Sequence, residues 1–315
     1  MRRHWRKAIS AINVLAPSLV FIAVANVAHA QKAPPELANF FDYTRATNVP
    51  AVAGDVVRKA KCCDVTEWKL ARNDDALSDE VELTVIAPLK KGKHPTVLWL
   101  HREGQEVKRA SFVQEAEALA ASGIASILVE LPFKQPYFAR GNSTAGDADS
   151  IVAAVVDSRR TLDWAASQPE FNIEKVAVVG QRYGAWAGTL LAAIDPRVEA
   201  LLLMSPPGKP SGWLQVTDQP KAKRFRDAFN KTEWITYLAA IEPLDPEKWI
   251  QYAAPAKLYF QFASGDEWVQ TLEQVDLFRA ALQPKTRQMF DSDELLNDEA
   301  RKERLLWLKK ALLGK

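Results

Sequence analysis

Of 315 residues only four are histidine, His4, His29, His94 and His101, and none follows His101. Chemistry that needs an imidazole base from the later part of the chain is thereby excluded. Cysteine occurs twice, at Cys62 and Cys63, so no disulfide framework staples the fold. Glycine is sparse at 13 residues, and no internal repeat, heptad run or low-complexity tract occurs, which excludes fibrous, solenoid and disordered classes. A net charge of +2 leaves no basic field for nucleic acid.

A 48% hydrophobic composition is enough to bury a sizeable core, and one large domain is the expectation. The first 30 residues stand apart from it. Arg2, Arg3, Arg6 and Lys7 form a basic segment, residues 8–27 are mainly apolar, and Ala28-His29-Ala30 fits an A-x-A cleavage pattern ahead of Gln31. Residues 1–30 are therefore read as a signal peptide, cleaved near Ala30, and the mature protein as exported to the periplasm or secreted. An uncleaved membrane anchor is the alternative, weakened by Asn13, Pro17 and Asn26 within the apolar run. Cleavage would leave 37 basic residues against 39 acidic ones.

Adjacent cysteines are unusual in an exported chain. A bridge between neighbours must close across a Cα separation of about 3.8 Å, below the usual disulfide range, so it would be strained. Two free thiols, a strained vicinal disulfide, and a metal or redox site are the three readings. The last lacks any C-x-x-C or neighbouring histidine spacing.

From Glu67 onward short apolar runs alternate with longer amphipathic segments, the pattern of an α/β domain with a mostly parallel central sheet flanked by helices. Val81–Ile86 alternates at period two and predicts a half-exposed strand. Thr96–Leu100, Ala125–Leu131, Val176–Val179, Ala200–Met204 and Leu258–Phe262 are continuous apolar runs, suited to strands buried on both faces. Helices are predicted over Phe112–Ala121, Ala148–Ala166, Ala185–Ile194, Trp268–Leu282 and Glu299–Leu313, the last stopped by Gly314.

Residues 206–255 break this rhythm with seven prolines and scattered aromatics, and are read as a cap or lid insertion after the sixth strand. Residues 31–61 carry few strand or helix signals and are read as an extended N-terminal arm anchored by Phe40, Phe41 and Tyr43, ahead of a domain over 62–315. Trp68, Trp99, Trp164 and Trp186 fall within element patterns and are expected in the core. Trp213, Trp234 and Trp249 are candidates to line a pocket under the cap. Asp147 and Asp149 suit either a divalent cation or the start of a helix, the commoner use of such a pair.

The segment Lys175-Val176-Ala177-Val178-Val179-Gly180-Gln181-Arg182-Tyr183-Gly184-Ala185 resembles the strand, elbow and helix start of the α/β-hydrolase superfamily, more narrowly its dienelactone-hydrolase-like and esterase-like branch. Val156-Asp157-Ser158-Arg159-Arg160 and Asp195-Pro196-Arg197-Val198 extend the similarity. The resemblance implies an α/β-hydrolase fold and a Ser, acid, His triad in that chain order. Arg182 stands in the serine position of G-x-S-x-G, and no other such motif occurs. The oxyanion loop that usually begins His-Gly reads His101-Arg102-Glu103-Gly104, with two charged side chains in place of small ones.

The resemblance places the triad acid at Asp266, within Ser264-Gly265-Asp266-Glu267. In the histidine position stands Glu294 or Asp293. Because no histidine follows Asp266, the family triad cannot be assembled in any register. Ser205 has no base beside it in sequence, and Arg182 is expected to hold Asp266 and Glu294 ionised, unfit as a general-acid pair near neutral pH.

No residue is thus assigned as catalytic; Arg182, Asp266 and Glu294 mark degenerate triad positions. Arg182 is expected either to form a bidentate ion pair with Asp266, shared with Glu294 or Glu103, or to capture a small anionic ligand in a pocket with His101, Arg102 and Tyr183. His101 itself suits a satisfied loop histidine better than a catalyst. The leading functional expectation is an exported, non-catalytic binding protein with no cofactor and no metal. A hydrolase with a non-standard site around Asp266, Glu294 and His101 and an envelope interaction module are the alternatives.

Overall fold

A computed structural model describes residues 32–43, 49–72, 80–104, 109–133 and 146–314; the predicted signal peptide, residues 1–30, lies outside them. The described chain opens with a helical turn α1 (Pro35–Ala38) and continues through β1 (Ala51–Lys59), β2 (Cys63–Ala71), β3 (Glu80–Pro88) and β4 (His94–Leu100). Helix α2 (Val113–Ala120) leads to β5 (Ala125–Val129), α3 (Gly146–Ala166) to β6 (Phe171–Gln181), and α4 (Tyr183–Ile194) to β7 (Val198–Met204). Four short helices follow, α5 (Pro210–Val216), α6 (Pro220–Asp227), α7 (Lys231–Ile241) and α8 (Pro246–Trp249), and then β8 (Lys257–Ala263), α9 (Thr271–Ala280), β9 (Lys285–Phe290) and α10 (Asp298–Leu313).

The apolar runs of the sequence become the centre of one nine-stranded sheet ordered β1-β2-β3-β5-β4-β6-β7-β8-β9. The pairs from β5 through β4 to β9 are parallel, and those from β1 to β3 and on to β5 are antiparallel. Each central strand buries side chains on both faces, which no half-solvated strand would tolerate. One face packs against α3, α4 and the 206–255 helices, the other against α2 and α10.

Helix α4 is buried along its whole run from Tyr183 to Ala193, so its small residues serve close packing rather than solvation. Trp99, Trp164 and Trp186 are fully buried, and the Trp68 ring lies tilted against Trp164 with centroids 4.9 Å apart. The 206–255 segment follows β7, the sixth strand counted without the edge strand β1. It is tied to α4 by the Trp186 indole N–H donating to Leu244 O at 2.6 Å.

Several elements differ from the sequence reading. Within 31–61, read as an extended arm, Ala51–Lys59 forms an edge strand hydrogen-bonded to β2, while Phe41 packs edge-on against Trp249 at 5.5 Å. Phe40 stays exposed, and the Tyr43 hydroxyl donates to Asp163. Trp249 is wholly buried, packed edge-on against Phe41, and its indole N–H donates to Pro243 O at 2.8 Å. Asp147 and Asp149 start α3, and no metal-binding cluster occurs among the described residues. Cys62 and Cys63 are free thiols with sulfurs 2.8 Å apart; burial pushes the Cys63 thiol up to about 12.

A candidate active site closed by its own charges

The turn between β6 and α4 has the shape of a nucleophile elbow. Arg182 adopts φ 52° and ψ −110°, a left-handed conformation that costs a non-glycine residue about 1–3 kcal/mol. Its flanking glycines are dictated by contact distance. A Cβ on Gly180 would lie 2.3 Å from Gly184 O, and one on Gly184 would lie 2.1 Å from Leu100 O. The backbone therefore presents whatever side chain occupies position 182 at the carboxyl end of β6, at the start of a buried helix.

That side chain is a guanidinium, charged at any ordinary pH and neither nucleophile nor base. Arg182 is 3% exposed, and its Nε–H donates to Glu103 Oε1 at 3.0 Å. Its other arm faces Asp266, with Nη1 3.6 Å from Oδ1, and the group sits 5.5 Å over the Trp268 ring. The expected bidentate pair with Asp266 is thus replaced by a closer pair with Glu103. Asp266 Oδ1 instead accepts the backbone N–H groups of Trp268 at 2.8 Å and Val269 at 2.9 Å.

Glu103 does more than balance charge. Its second oxygen accepts the backbone N–H of Tyr183 at 3.3 Å. In a working elbow the N–H of the residue after the nucleophile is one of the two donors that stabilise the tetrahedral oxyanion. Here a resident carboxylate, itself 5% exposed, takes that donor.

Burial raises the Asp266 carboxyl above the usual range, opposed by the Arg182 charge and its two backbone donors and reinforced by Glu294. This corrects the expectation that Arg182 would hold Asp266 low: desolvation of a side chain with no solvent exposure outweighs the pairing. Glu294 lies near Asp266, and its backbone carbonyl accepts the Ser205 hydroxyl at 2.9 Å. Ser205 is thereby spent on holding the 291–297 loop.

His101 is a satisfied loop histidine. Leu131 N–H donates to its Nε2 at 2.9 Å, so the proton resides on Nδ1, which donates to Arg102 O at 2.6 Å. Burial lowers its pKa and keeps it neutral. Arg102 turns elsewhere, its Nη1 reaching Glu103 O at 3.4 Å and its guanidinium lining a separate crevice.

Two residues of the site carry no motif. Asp147 accepts from the Tyr237 hydroxyl at 2.8 Å and from the Tyr183 hydroxyl at 3.4 Å, and burial pushes its carboxyl up to about 6. Tyr237 on α7 and Tyr183 on the elbow helix α4 are thereby joined through one carboxylate at the start of α3. On α9, Glu273 accepts Gly208 N–H and Lys209 N–H at 2.7 Å each, and burial raises it to about 7. Around one arginine the site thus gathers Glu103, Asp266, Glu294 and Asp147, an acidic excess that disfavours a second anion.

No protein-family model matches the chain, and no curated protein matches it by sequence. Similar solved structures include acetyl xylan esterase 1 from Thermoanaerobacterium sp. JW/SL YS485, at 13% identity and TM-score 0.69 over 88% of this chain and 95% of that one. An acetyl xylan esterase from Paenibacillus sp. R4 aligns at 15% identity and TM-score 0.70 over 89% and 95%. A glucuronoyl esterase from Solibacter usitatus aligns at 14% identity and TM-score 0.61 over 88% and 91%. At these identities the likeness establishes architecture, and with the sheet order and elbow above it, the chain has the α/β-hydrolase fold.

Proposed function

We propose that this protein is a non-catalytic binding member of the α/β-hydrolase fold, exported and matured by removal of residues 1–30. The observation that carries the proposal is the Glu103 carboxylate, which accepts both the Arg182 Nε–H and the Tyr183 N–H. A substrate carbonyl entering the elbow would meet a guanidinium at position 182 in place of a nucleophile, no histidine after Asp266 in the sequence to act as base, and its oxyanion donor already bonded to a negative charge. Restoring a serine alone would leave the plug in place.

A hydrolase with a non-standard site is the second reading, favoured by the raised Asp266 carboxyl and by esterase neighbours in structure. The test is turnover of 4-nitrophenyl acetate by the purified mature chain, with Asp266→Ala as control. The proposal expects both proteins to match the buffer rate. Turnover by the wild type that disappears in Asp266→Ala would replace the binding reading with the hydrolase one.

A further inference from the structure

A crevice of about 570 Å³ opens on the side of the elbow away from the inserted helices. It lies between Arg102 after β4, Gln181 at the end of β6, Met204 at the end of β7, and α10. The strand order makes this a meaningful place. β4 connects through α2 to β5 on one side, and β5 returns through α3 to β6 on the other, so the sheet order reverses between β4 and β6. Outside the carboxyl ends of strands at such a reversal, the connecting loops part and leave room for a ligand.

The lining carries three arginines against one glutamate. Arg304 bonds Glu115 twice at 2.6 Å, while Arg301 Nε lies 3.7 Å from the same carboxylate and its Nη1 bonds Asp298 at 2.9 Å. Arg102 has no carboxylate within 4.0 Å among the described residues, so positive charge stays in excess at its end of the crevice. Gln181 adds a neutral hydrogen-bonding group to the wall: it is 7% exposed, lines the crevice, and its carboxamide has no hydrogen-bond partner among the described residues. Its amide atoms are not sealed from solvent, so their donor and acceptor capacity stays open to a molecule that enters the crevice. Phe112, Met204 and Leu295 complete an apolar wall.

From this placement we infer that the crevice binds a small carboxylate carrying an apolar, ring-sized group. Arg102 and Arg301 answer its charge, Gln181 hydrogen-bonds it, and Phe112 and Met204 cover its apolar part. The inference rests on the binding reading above and moves the anion from Arg182, which Glu103 and Asp266 engage, to the opposite side of the elbow.

The experiment is calorimetric titration of the purified mature chain with benzoate, with benzamide and inorganic sulfate as comparison probes, repeated on Arg102→Ala and Arg301→Ala. Benzoate is expected to bind with a Kd of about 1 mM or tighter, the range open to a ligand of its size. Each arginine variant should weaken it by about tenfold, the loss of one charge-assisted contact. Benzamide and sulfate should each bind at least about tenfold more weakly than benzoate. A benzoate-dependent shift of the Gln181 side-chain amide resonances is expected alongside.

Absence of benzoate binding at about 10 mM, equal affinity for sulfate, or unchanged affinity in both arginine variants would each overturn the inference. These outcomes are separable from failure of the function proposed above. Ester turnover would remove the non-catalytic reading whatever the titration gives, and lost crevice binding would leave that reading standing.

Discussion

Replacing Glu103 by glutamine removes one charge from a pair whose side chains are 4% and 6% exposed, where water screens little. Breaking a buried ion pair from one side costs about 3–5 kcal/mol, because the surviving charge stays desolvated. Asp266, 3.6 Å from the other arm of Arg182, still answers that charge, and the glutamine oxygen can keep one bond. About 2–3 kcal/mol therefore remains as the expected loss, or about 4–12 °C in Tm for a chain of this size. The assay is thermal and urea unfolding of the mature protein as a double-mutant cycle, Glu103→Gln with Arg182→Met. A coupling energy of about 1.5–3 kcal/mol is expected, since the double variant removes both charges. Additive effects, with coupling below about 0.5 kcal/mol, would refute the argument that these residues form the plug.

Other expectations follow from neighbouring geometry. Glu273 titrates at about 7 in the folded protein against 4.5 when unperturbed, so its ionisation penalises the fold increasingly as pH rises through that window. Glu273→Gln should accordingly gain about 1–3 kcal/mol over wild type at pH 8 and nothing below pH 4.5, read from urea midpoints across pH. Gly184→Ala, whose Cβ would meet Leu100 O at 2.1 Å, should abolish soluble expression or cost roughly 3 kcal/mol or more. Gly188→Ala, whose Cβ would lie 3.3 Å from a Val178 methyl and 3.4 Å from a Leu201 methyl, has a mild crowding offset by the better helix propensity of alanine and should stay within about 1 kcal/mol of wild type by the same unfolding assay. Arg304→Met, which leaves the buried Glu115 only the half-exposed Arg301 at 3.7 Å to answer it, should cost about 3 kcal/mol. Arg301→Ala, removing a half-exposed side chain, should change stability by less than about 0.5 kcal/mol in the same melts.

The sequence disclosed the elements whose burial is complete. Val176–Val179 and Leu258–Phe262 announce strands because both faces are apolar, and Gly180 and Gly184 announce the elbow because no side chain fits there. It did not disclose β1 or β9, since Ala51–Lys59 and Lys285–Phe290 lie at the sheet edges and carry too many polar or exposed residues for a period to emerge. Within the site, Arg182, Glu103 and Asp266 were legible as departures from, or matches to, a known pattern. Their pairing was not, because Glu103 and Arg182 stand 79 residues apart and only the fold brings the loop after β4 onto the elbow. In the sequence Asp147 suits a divalent cation or a helix start and Tyr237 carries no signal of its own; 90 residues apart, they have no motif to join them.

The central claim is that Glu103 occupies the donor an oxyanion would need, and the Tyr183 backbone amide reports on it directly. In an amide NMR spectrum of the mature protein, the Tyr183 proton should resonate downfield, as a donor to a carboxylate, and move upfield in Glu103→Gln. It should hold its position in Asp266→Asn, which leaves that bond intact. A Tyr183 amide unmoved by Glu103→Gln would contradict the account.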